Sequence, residues 1–105
     1  DALWSGLPVL TWSGQTFASR MAASLLKAVG LPQLICTSPE QYQSQAIEWG
    51  LRPAELAKLK HTLMGQGHAQ VLFDTPRYVR HLEQAYRIMF DRSRQGQPAA
   101  PIRWP

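Results

Sequence analysis

Residues 9–36, VLTWSGQTFASRMAASLLKAVGLPQLIC, decide the fold of this chain. Residues 9–12 are a short strand-favouring run between a proline and a Ser-Gly pair, and residues 34–36 are a second short apolar run. Between the two runs, apolar residues recur every three or four positions from Thr16 to Gly30, which is typical of a helix packed on a core. Two apolar strands joined by a helix match the crossover that parallel strands require, so the stretch predicts a parallel α/β unit.

The connecting helix has a predicted core-facing side, formed by Phe17, Ala18, Met21, Ala22, Leu25 and Val29. The aromatic residues Trp4, Trp12, Phe17 and Trp49 occupy strand or helix-stripe positions. Aromatic side chains at such positions mostly fill the core, so we interpret these four as packing residues and not as sugar-stacking platforms.

Before this unit, residues 1–5 fit the last turn of a helix. Gly6 supplies the left-handed position at which helices often end, and Pro8 prevents the helix from continuing. The chain starts with an apolar stretch and without Met. We therefore expect residue 1 to be an internal cut in a longer protein and residues 1–5 to be the end of a longer helix.

A helix start signal follows the second strand. Ser38, with Pro39 at the first helical position and Gln41 three residues after Ser38, has the pattern of a capping box. The pattern predicts a helix that ends at Gly50.

Two further helices complete the predicted order of elements. One begins near Pro53 and ends at Gly65 and Gly67, and the other starts at residues 74–76, Asp-Thr-Pro, and reaches about Arg94. The last helix has an apolar stripe of Val79, Leu82, Tyr86 and Met89.

The elements together predict a helix-rich α/β fold with two short parallel strands and about four helices. Residues 1–95 are assigned to one part of a domain. Residues 96–105 contain three prolines and show no apolar period, so we assign them to a Pro-rich tail that docks on a surface or stays mobile.

Composition excludes several classes of function. The formal charge is +4, and five arginines lie between Arg77 and Arg94, but without interleaved aromatics or a basic run this indicates a solvated helix face, and no nucleic acid partner is expected. No apolar run approaches the roughly 20 residues that cross a bilayer, so no membrane partner is expected either. Cys36 is the only cysteine, which rules out an internal disulfide and fits a reducing compartment such as the cytoplasm.

Familiar catalytic and cofactor motifs are missing from the sequence. Neither Gly-rich phosphate loop occurs, and the glycines at 65 and 67 are interpreted as a linker. His61, His68 and His81 lack partners at metal-ligand spacing, so we expect no metal site and interpret them as surface histidines. No catalytic residue and no cofactor is predicted.

The sharpest chemical signal lies at the start of the chain, where DALWSGLPVL places an acidic residue on a helical turn before a glycine, a proline and a strand. If the preceding part of that helix began at a pyrophosphate, its first amides would bind the phosphates. Asp1 would then lie where acidic residues of dinucleotide sites accept hydrogen bonds from ribose hydroxyls. From spacing alone, a solvated aspartate on a helix is about equally consistent with the pattern.

With these residues in view, the chain resembles the GT-B glycosyltransferases, and residues 14–24, GQTFASRMAAS, look specifically like the O-linked N-acetylglucosamine transferase family, including its SPINDLY-like members. The resemblance extends over roughly residues 1–95. Its further segments are Leu34–Cys36, Pro39–Ala46, Leu72–Thr75 and Tyr86–Arg92.

The resemblance implies that this chain is the C-terminal portion of a Rossmann-like, UDP-sugar-binding lobe. The parent enzyme would carry upstream tetratricopeptide repeats and transfer N-acetylglucosamine, with inversion, from UDP-N-acetylglucosamine to serine or threonine of an acceptor protein. By resemblance, Asp1 binds the ribose of UDP. The family's His-Thr-Thr segment and its phosphate-contacting lysine have no counterpart here, so this portion by itself is expected to be inactive.

Another function class stays open from the residues. A small helical interaction module would use its basic last helix to bind a partner protein or nucleic acid. A third interpretation keeps the transferase fold and changes the donor or the acceptor.

Overall fold

The structure is a computed structural model that describes residues 1–66 and 71–103. Its elements in chain order are strand β1 (Thr11–Trp12), helix α1 (Phe17–Ala28), strand β2 (Ile35–Cys36), and helices α2 (Pro39–Leu51), α3 (Pro53–Gln66) and α4 (Thr75–Arg94). Two short 3-10 helices, Pro32–Leu34 and Val71–Phe73, precede β2 and α4. The chain divides into two compact units, residues 1–73 and 74–105. The helix-rich α/β prediction with two parallel strands is confirmed.

The two strands pair in parallel, with Thr11 opposite Ile35 and Trp12 opposite Cys36. The ladder is shorter than predicted, because Leu34 belongs to a 3-10 turn and donates its N–H to the carbonyl of Leu31 at 3.2 Å. The proline at the start of that turn favours a helical conformation, so the pairing begins only after the turn has ended.

The core of the first unit lies between α1 and the strand pair and extends to the first residues and to α3. Its buried apolar residues form one cluster of Leu3, Leu26, Val29, Leu31, Leu34 and Leu63. This cluster joins segments far apart in sequence, so it holds the first unit together.

Helix α1 buries a different face from the predicted one. Ala23, Leu26 and Val29 are buried, and of these only Val29 was on the predicted face. Phe17, Met21 and Leu25 are 80%, 46% and 38% exposed and Ala18 is exposed as well, so the prediction was wrong for these four. The helix has two apolar faces, and the strand pair covers only one of them. Periodicity alone does not distinguish between two apolar faces of one helix.

Helix ends at Gly6 and Gly30 follow the prediction. The N–H of Gly6 donates to the carbonyl of Leu3 at 3.1 Å, and the N–H of Leu7 donates to the carbonyl of Ala2 at 2.9 Å. This pair of bonds is a Schellman motif, which needs a left-handed residue, and φ is +76° at Gly6 and +75° at Gly30. Residues 1–6 therefore end in the hydrogen-bonded turn that is typical of a helix C-terminus.

The predicted capping box at the start of α2 forms only in part. The Ser38 side chain accepts a hydrogen bond from the N–H of Gln41 at 3.1 Å, as predicted. The Gln41 Oε1 accepts from the N–H and the hydroxyl of Thr37, at 2.8 and 3.1 Å. The glutamine side chain therefore reaches one residue further back than the box requires, and it ties the end of β2 to α2.

Helix α2 passes through Gly50 and ends at Leu51, so the predicted end was wrong by one residue. A proline at position 53 disfavours the helical conformation for Arg52, whose φ and ψ are −122° and 65°. The proline, and not the glycine, determines the end of the helix.

The second unit contains α4, whose first turn is capped by Asp74 as predicted. The Asp74 carboxylate accepts a hydrogen bond from the N–H of Arg77 at 3.0 Å. The stripe residues Val79, Tyr86 and Met89 are largely exposed. None of the helices in the described ranges is long and apolar enough to span a bilayer.

Two glycine substitutions are expected to change stability in opposite directions. Gly30→Ala places a side chain at positive φ and should lower the free energy of unfolding by about 1 kcal/mol, although no atom lies within 4 Å of the new Cβ. Gly50→Ala, inside α2 and equally uncrowded, should raise it by about 0.5–1 kcal/mol because alanine loses less backbone entropy. Urea denaturation of both variants measures the two effects, and a shift of the same sign would contradict the assignment of Gly30 to a helix end.

Candidate functional site

Asp1, the predicted ribose ligand, is exposed and begins the helical turns that end at Gly6. Its backbone carbonyl accepts a hydrogen bond from the N–H of Ser5 at 3.0 Å. The acidic residue therefore lies one helical turn before the Schellman motif. As the sequence suggested, Asp1 lies on a helical turn that ends at a glycine, and strand β1 follows that turn.

Asp1 also borders a cavity of about 150 Å³. The other lining residues are apolar and come from the first turns, the segment before β1, α1 and the 3-10 helix before α4: Ala2, Leu3, Val9, Ala22, Leu25, Leu26, Leu72 and Phe73. A carboxylate at the rim of an apolar cavity can accept hydrogen bonds. The other side chains that line this cavity include no proton donor and no nucleophile. The cavity thus combines one carboxylate at its rim with an apolar lining.

A second feature is the carboxyl-terminal edge of the strand pair, where ligands bind in open α/β sheets. The N–H of Ser13 donates to the carbonyl of Cys36 at 2.9 Å and closes this edge. Each strand leads through a short loop into a helix, β1 into α1 and β2 into α2. Both helices therefore begin after the carboxyl-terminal ends of the two strands.

Comparison with known proteins identifies the chain. The model of the family described as Glycosyl transferase family 41 matches residues 1–82. The chain belongs to glycosyltransferase family 41. This confirms the resemblance drawn from residues 14–24 and the segments after them.

The curated relatives match this family 41 chain over almost its whole length. The UDP-N-acetylglucosamine–peptide N-acetylglucosaminyltransferase of Caenorhabditis elegans is 32% identical over 98 residues, which are 93% of this chain and 8% of the relative. A probable enzyme of the same name, SEC of Arabidopsis thaliana, is 36% identical over 92% of this chain and 10% of its own length. The probable UDP-N-acetylglucosamine–peptide N-acetylglucosaminyltransferase SPINDLY of Oryza sativa subsp. japonica is 32% identical over 95% of this chain and 11% of its own length. The chain thus spans about a tenth of the length of these relatives.

The N-terminus of α1 in this family 41 chain carries a capping box that the sequence analysis missed. Ser19 donates its N–H to the Thr16 hydroxyl oxygen at 3.3 Å, and the N–H of Thr16 donates to the Ser19 hydroxyl oxygen at 3.1 Å. The usual signature has Glu or Gln in the position of Ser19, so the pattern was not recognised. A Cβ on Gly14 would lie 2.7 Å from the Ser19 hydroxyl oxygen, so the loop before α1 is closely fitted to this box.

The predicted packing roles of the aromatic residues are only partly correct. Trp4 contacts Phe73 edge to face, with ring centroids 4.8 Å apart, and Trp49 packs against the core cluster. Trp4, Trp12 and Phe17 are all half or more exposed. The packing interpretation therefore holds only in part for Trp4, through its contact with Phe73, and was wrong for Trp12 and Phe17. Phe17 is exposed because it lies on the face of α1 that points away from the strands, whereas Trp12 is an exposed residue of β1.

Metal chemistry was not predicted from the histidines. Across residues 1–66 and 71–103, no group of three or more His, Cys, Asp or Glu side chains is arranged to hold a metal ion. His61 and His81 lie in α3 and α4, and His68 lies outside the described residues.

Cys36 ends β2 and is completely buried. Desolvation raises the pKa of its thiol above the ordinary value of 9.0, because burial penalises the thiolate. The neutral thiol is therefore a packing group beneath the sheet edge and not a nucleophile.

Cys36 should make stability fall at alkaline pH. Since folding raises the thiol pKa, the thiol's contribution to stability is fully present below pH 9.0 and is lost as pH rises through the folded-state pKa. Urea denaturation from pH 7 to 10 measures this slope in the natural chain and in Cys36→Ala. The variant should show a smaller alkaline loss, and an equal loss in both proteins would contradict the burial of the thiol. In the native state a thiol reagent should react only through conformations in which Cys36 is transiently exposed.

Proposed function

We propose that this chain is the C-terminal part of the UDP-sugar-binding lobe of a protein O-linked N-acetylglucosamine transferase. The observation that carries the proposal is the family 41 match over residues 1–82, which begins at the acidic helical turn and runs through both strands. The names of the relatives state a UDP-N-acetylglucosamine donor and a peptide acceptor for those proteins. The same donor class and a protein acceptor are proposed for the parent of this chain.

The lobe is proposed to be Rossmann-like and of the GT-B type. The parallel pair of β1 and β2 with the crossover helix α1 supports this, because doubly wound sheets are built from such units. Parallel sheets are almost always covered on both faces and are larger than two strands. The remaining strands are proposed to come from other parts of the parent protein.

Within that lobe, Asp1 is proposed to accept hydrogen bonds from the ribose hydroxyls of UDP. A carboxylate has acceptor sites only, and a pair of vicinal hydroxyls supplies two donors in matching geometry. Its exposure and its position at the start of the helical turns support the role, since they leave both carboxylate oxygens accessible to a ligand.

Catalysis is proposed to rest on residues outside this chain. Glycosyl transfer from UDP needs donors that stabilise the departing diphosphate and groups that hold the acceptor hydroxyl in line. The described side chains around Asp1 are apolar and supply neither. The chain alone is therefore proposed to be inactive, and the parent to add those donors and tetratricopeptide repeats that present the acceptor. A cytoplasmic location is proposed from the unpaired Cys36, which fits a reducing compartment.

The outer face of α1, defined as Phe17, Met21 and Leu25, is proposed as the surface that the rest of the lobe covers. These side chains continue the apolar lining of the cavity beside Asp1, which shares Leu25. Burying them would add about 25 cal/mol for each Å² of apolar surface removed from water. The face would thereby fix the position of Asp1 relative to the rest of the nucleotide site.

Binding of UDP tests the role of Asp1. Calorimetry with this chain alone should give weak or undetectable binding, because one carboxylate does not hold a nucleotide. In the longer enzyme, Asp1→Asn should raise the KM for UDP-N-acetylglucosamine by about tenfold with a smaller change in kcat, since the ribose contact is made equally in the ground and transition states. Glu83→Gln, an exposed carboxylate on α4, is the control and should leave both constants unchanged. Micromolar binding to the chain alone, or an unchanged KM in Asp1→Asn, would refute the proposal.

A substitution on the outer face of α1 tests the packing of the lobe. In the chain alone, Phe17→Ser should change the free energy of unfolding by less than about 0.5 kcal/mol because Phe17 is exposed. Leu26→Ala, on the buried face, should lower it by about 2–5 kcal/mol. In the longer enzyme, by contrast, Phe17→Ser should lower the melting temperature, because the rest of the lobe would cover Phe17. An unchanged melting temperature in the longer enzyme would show that this face stays in water.

The competing interpretation is a helical module that binds nucleic acid through α4. The five arginines of that helix favour this interpretation on charge alone. Titration of the chain with duplex DNA at two salt concentrations separates the two functions. A complex that weakens steeply with salt would favour the module, and no complex favours the transferase.

A further inference from the structure

The tail that follows α4 reverses direction immediately after the helix. The N–H of Gly96 donates to the carbonyl of Ser93 at 3.1 Å, the N–H of Gln97 donates to the carbonyl of Arg92 at 2.9 Å, and φ at Gly96 is +67°. This Schellman turn sends residues 97–103 back along the last turns of α4.

The reversed tail is held on α4 by a hydrogen bond and an apolar groove. Arg92 donates from Nη1 to the carbonyl of Ala100 at 2.6 Å. Met89 of α4 and Ala99 and Ile102 of the tail line a groove of about 480 Å³, and Ile102 is half-buried in it. The Pro-rich tail therefore docks on its own helix.

The tail segment has the sequence PAAPIR from Pro98 to Arg103. Each proline fixes its own φ near −65°, and the residue before each is excluded from the helical region. Such a segment favours the polyproline II conformation, in which three residues make one turn. Pro98 and Pro101 then lie on one edge, and Ala99 and Ile102 lie on another.

These two edges have different surroundings in the structure. Ala99 and Ile102 line the groove on α4, and Ile102 is half-buried there. Pro98, Pro101 and Arg103 are exposed and do not line the groove. The docked tail therefore covers Ile102 in part and leaves the two prolines and the following cation, Arg103, exposed to solvent.

We propose that residues 98–103 are a recognition segment for a polyproline-binding domain of the SH3 type. Such domains have aromatic-lined grooves that accept the two prolines of a Pro-x-x-Pro segment. Arg103 follows the second proline by two residues and matches an acidic pocket at the end of the groove, and residues 95–105 contain no acidic residue that would oppose this pairing. Holding the segment on α4 lowers the conformational entropy that binding would otherwise remove. This partner is additional to the donor and acceptor of the proposed transferase.

Titration with purified SH3 domains tests the proposal. The isotope-labelled 105-residue chain is titrated with a panel of SH3 domains selected for ligands with the order Pro-x-x-Pro-x-basic, and amide shifts and Kd are recorded. At least one domain should bind with micromolar Kd, with shifts concentrated in residues 97–103. The double variant Pro98→Ala, Pro101→Ala should weaken binding by roughly tenfold or more, because both groove contacts are lost.

Two charge-reversal variants separate specific recognition from general attraction. Arg103→Glu should weaken binding by roughly tenfold or more, whereas Arg80→Glu, the same charge change on the exposed side of α4, should have little effect. Circular dichroism confirms that each variant keeps its helices. Absence of binding to every domain in the panel, binding that survives the proline substitutions, or equal loss in Arg80→Glu and Arg103→Glu would each overturn the proposal.

Discussion

The first unit depends on one short parallel pairing, Thr11 with Ile35 and Trp12 with Cys36, and on the side of α1 that covers it. Two residues per strand make few ladder bonds, and an isolated strand pair is only marginally stable in water. Leu26 and Val29 provide the missing stabilisation by burying their side chains against the segments that lead into both strands. Loss of that contact would release the strands and the helical turns that carry Asp1.

The same contact determines what the chain offers to other molecules. Because α1 uses only one of its apolar faces on the strands, Phe17 and Met21 are left in contact with solvent. The turns that carry Asp1 are fixed through Leu3, which belongs to the core cluster. The core therefore connects the position of the acidic residue to the arrangement of the strand pair.

The second unit is stabilised by interactions between residues close in sequence and not by a cluster of buried residues like that of the first unit. Asp74 caps the start of α4, and the turn at Gly96 ends it and brings the tail back to the helix. The Arg92 bond to Ala100 and the half-buried Ile102 hold the tail in place. A small number of contacts is enough here because prolines have already reduced the conformational freedom of the tail.

The sequence by itself determined the elements whose causes are local. The order of strands and helices, the turns at Gly6 and Gly30 and the cap at Asp74 follow from backbone conformation and from hydrogen bonds within a few residues. The acidic turn and the family to which the chain belongs were also accessible from consecutive residues, since motif order does not depend on packing.

Only the tertiary structure decided which surfaces are buried. It selected Leu26 and not Phe17 for the core, made Cys36 a desolvated thiol, and let Pro32 shorten the ladder by forming a turn before β2. It also directed the Gln41 side chain to Thr37 and laid the tail along α4. These outcomes depend on contacts between segments distant in sequence or on competition between nearly equivalent partners, and neither is encoded in the spacing of residues along the chain.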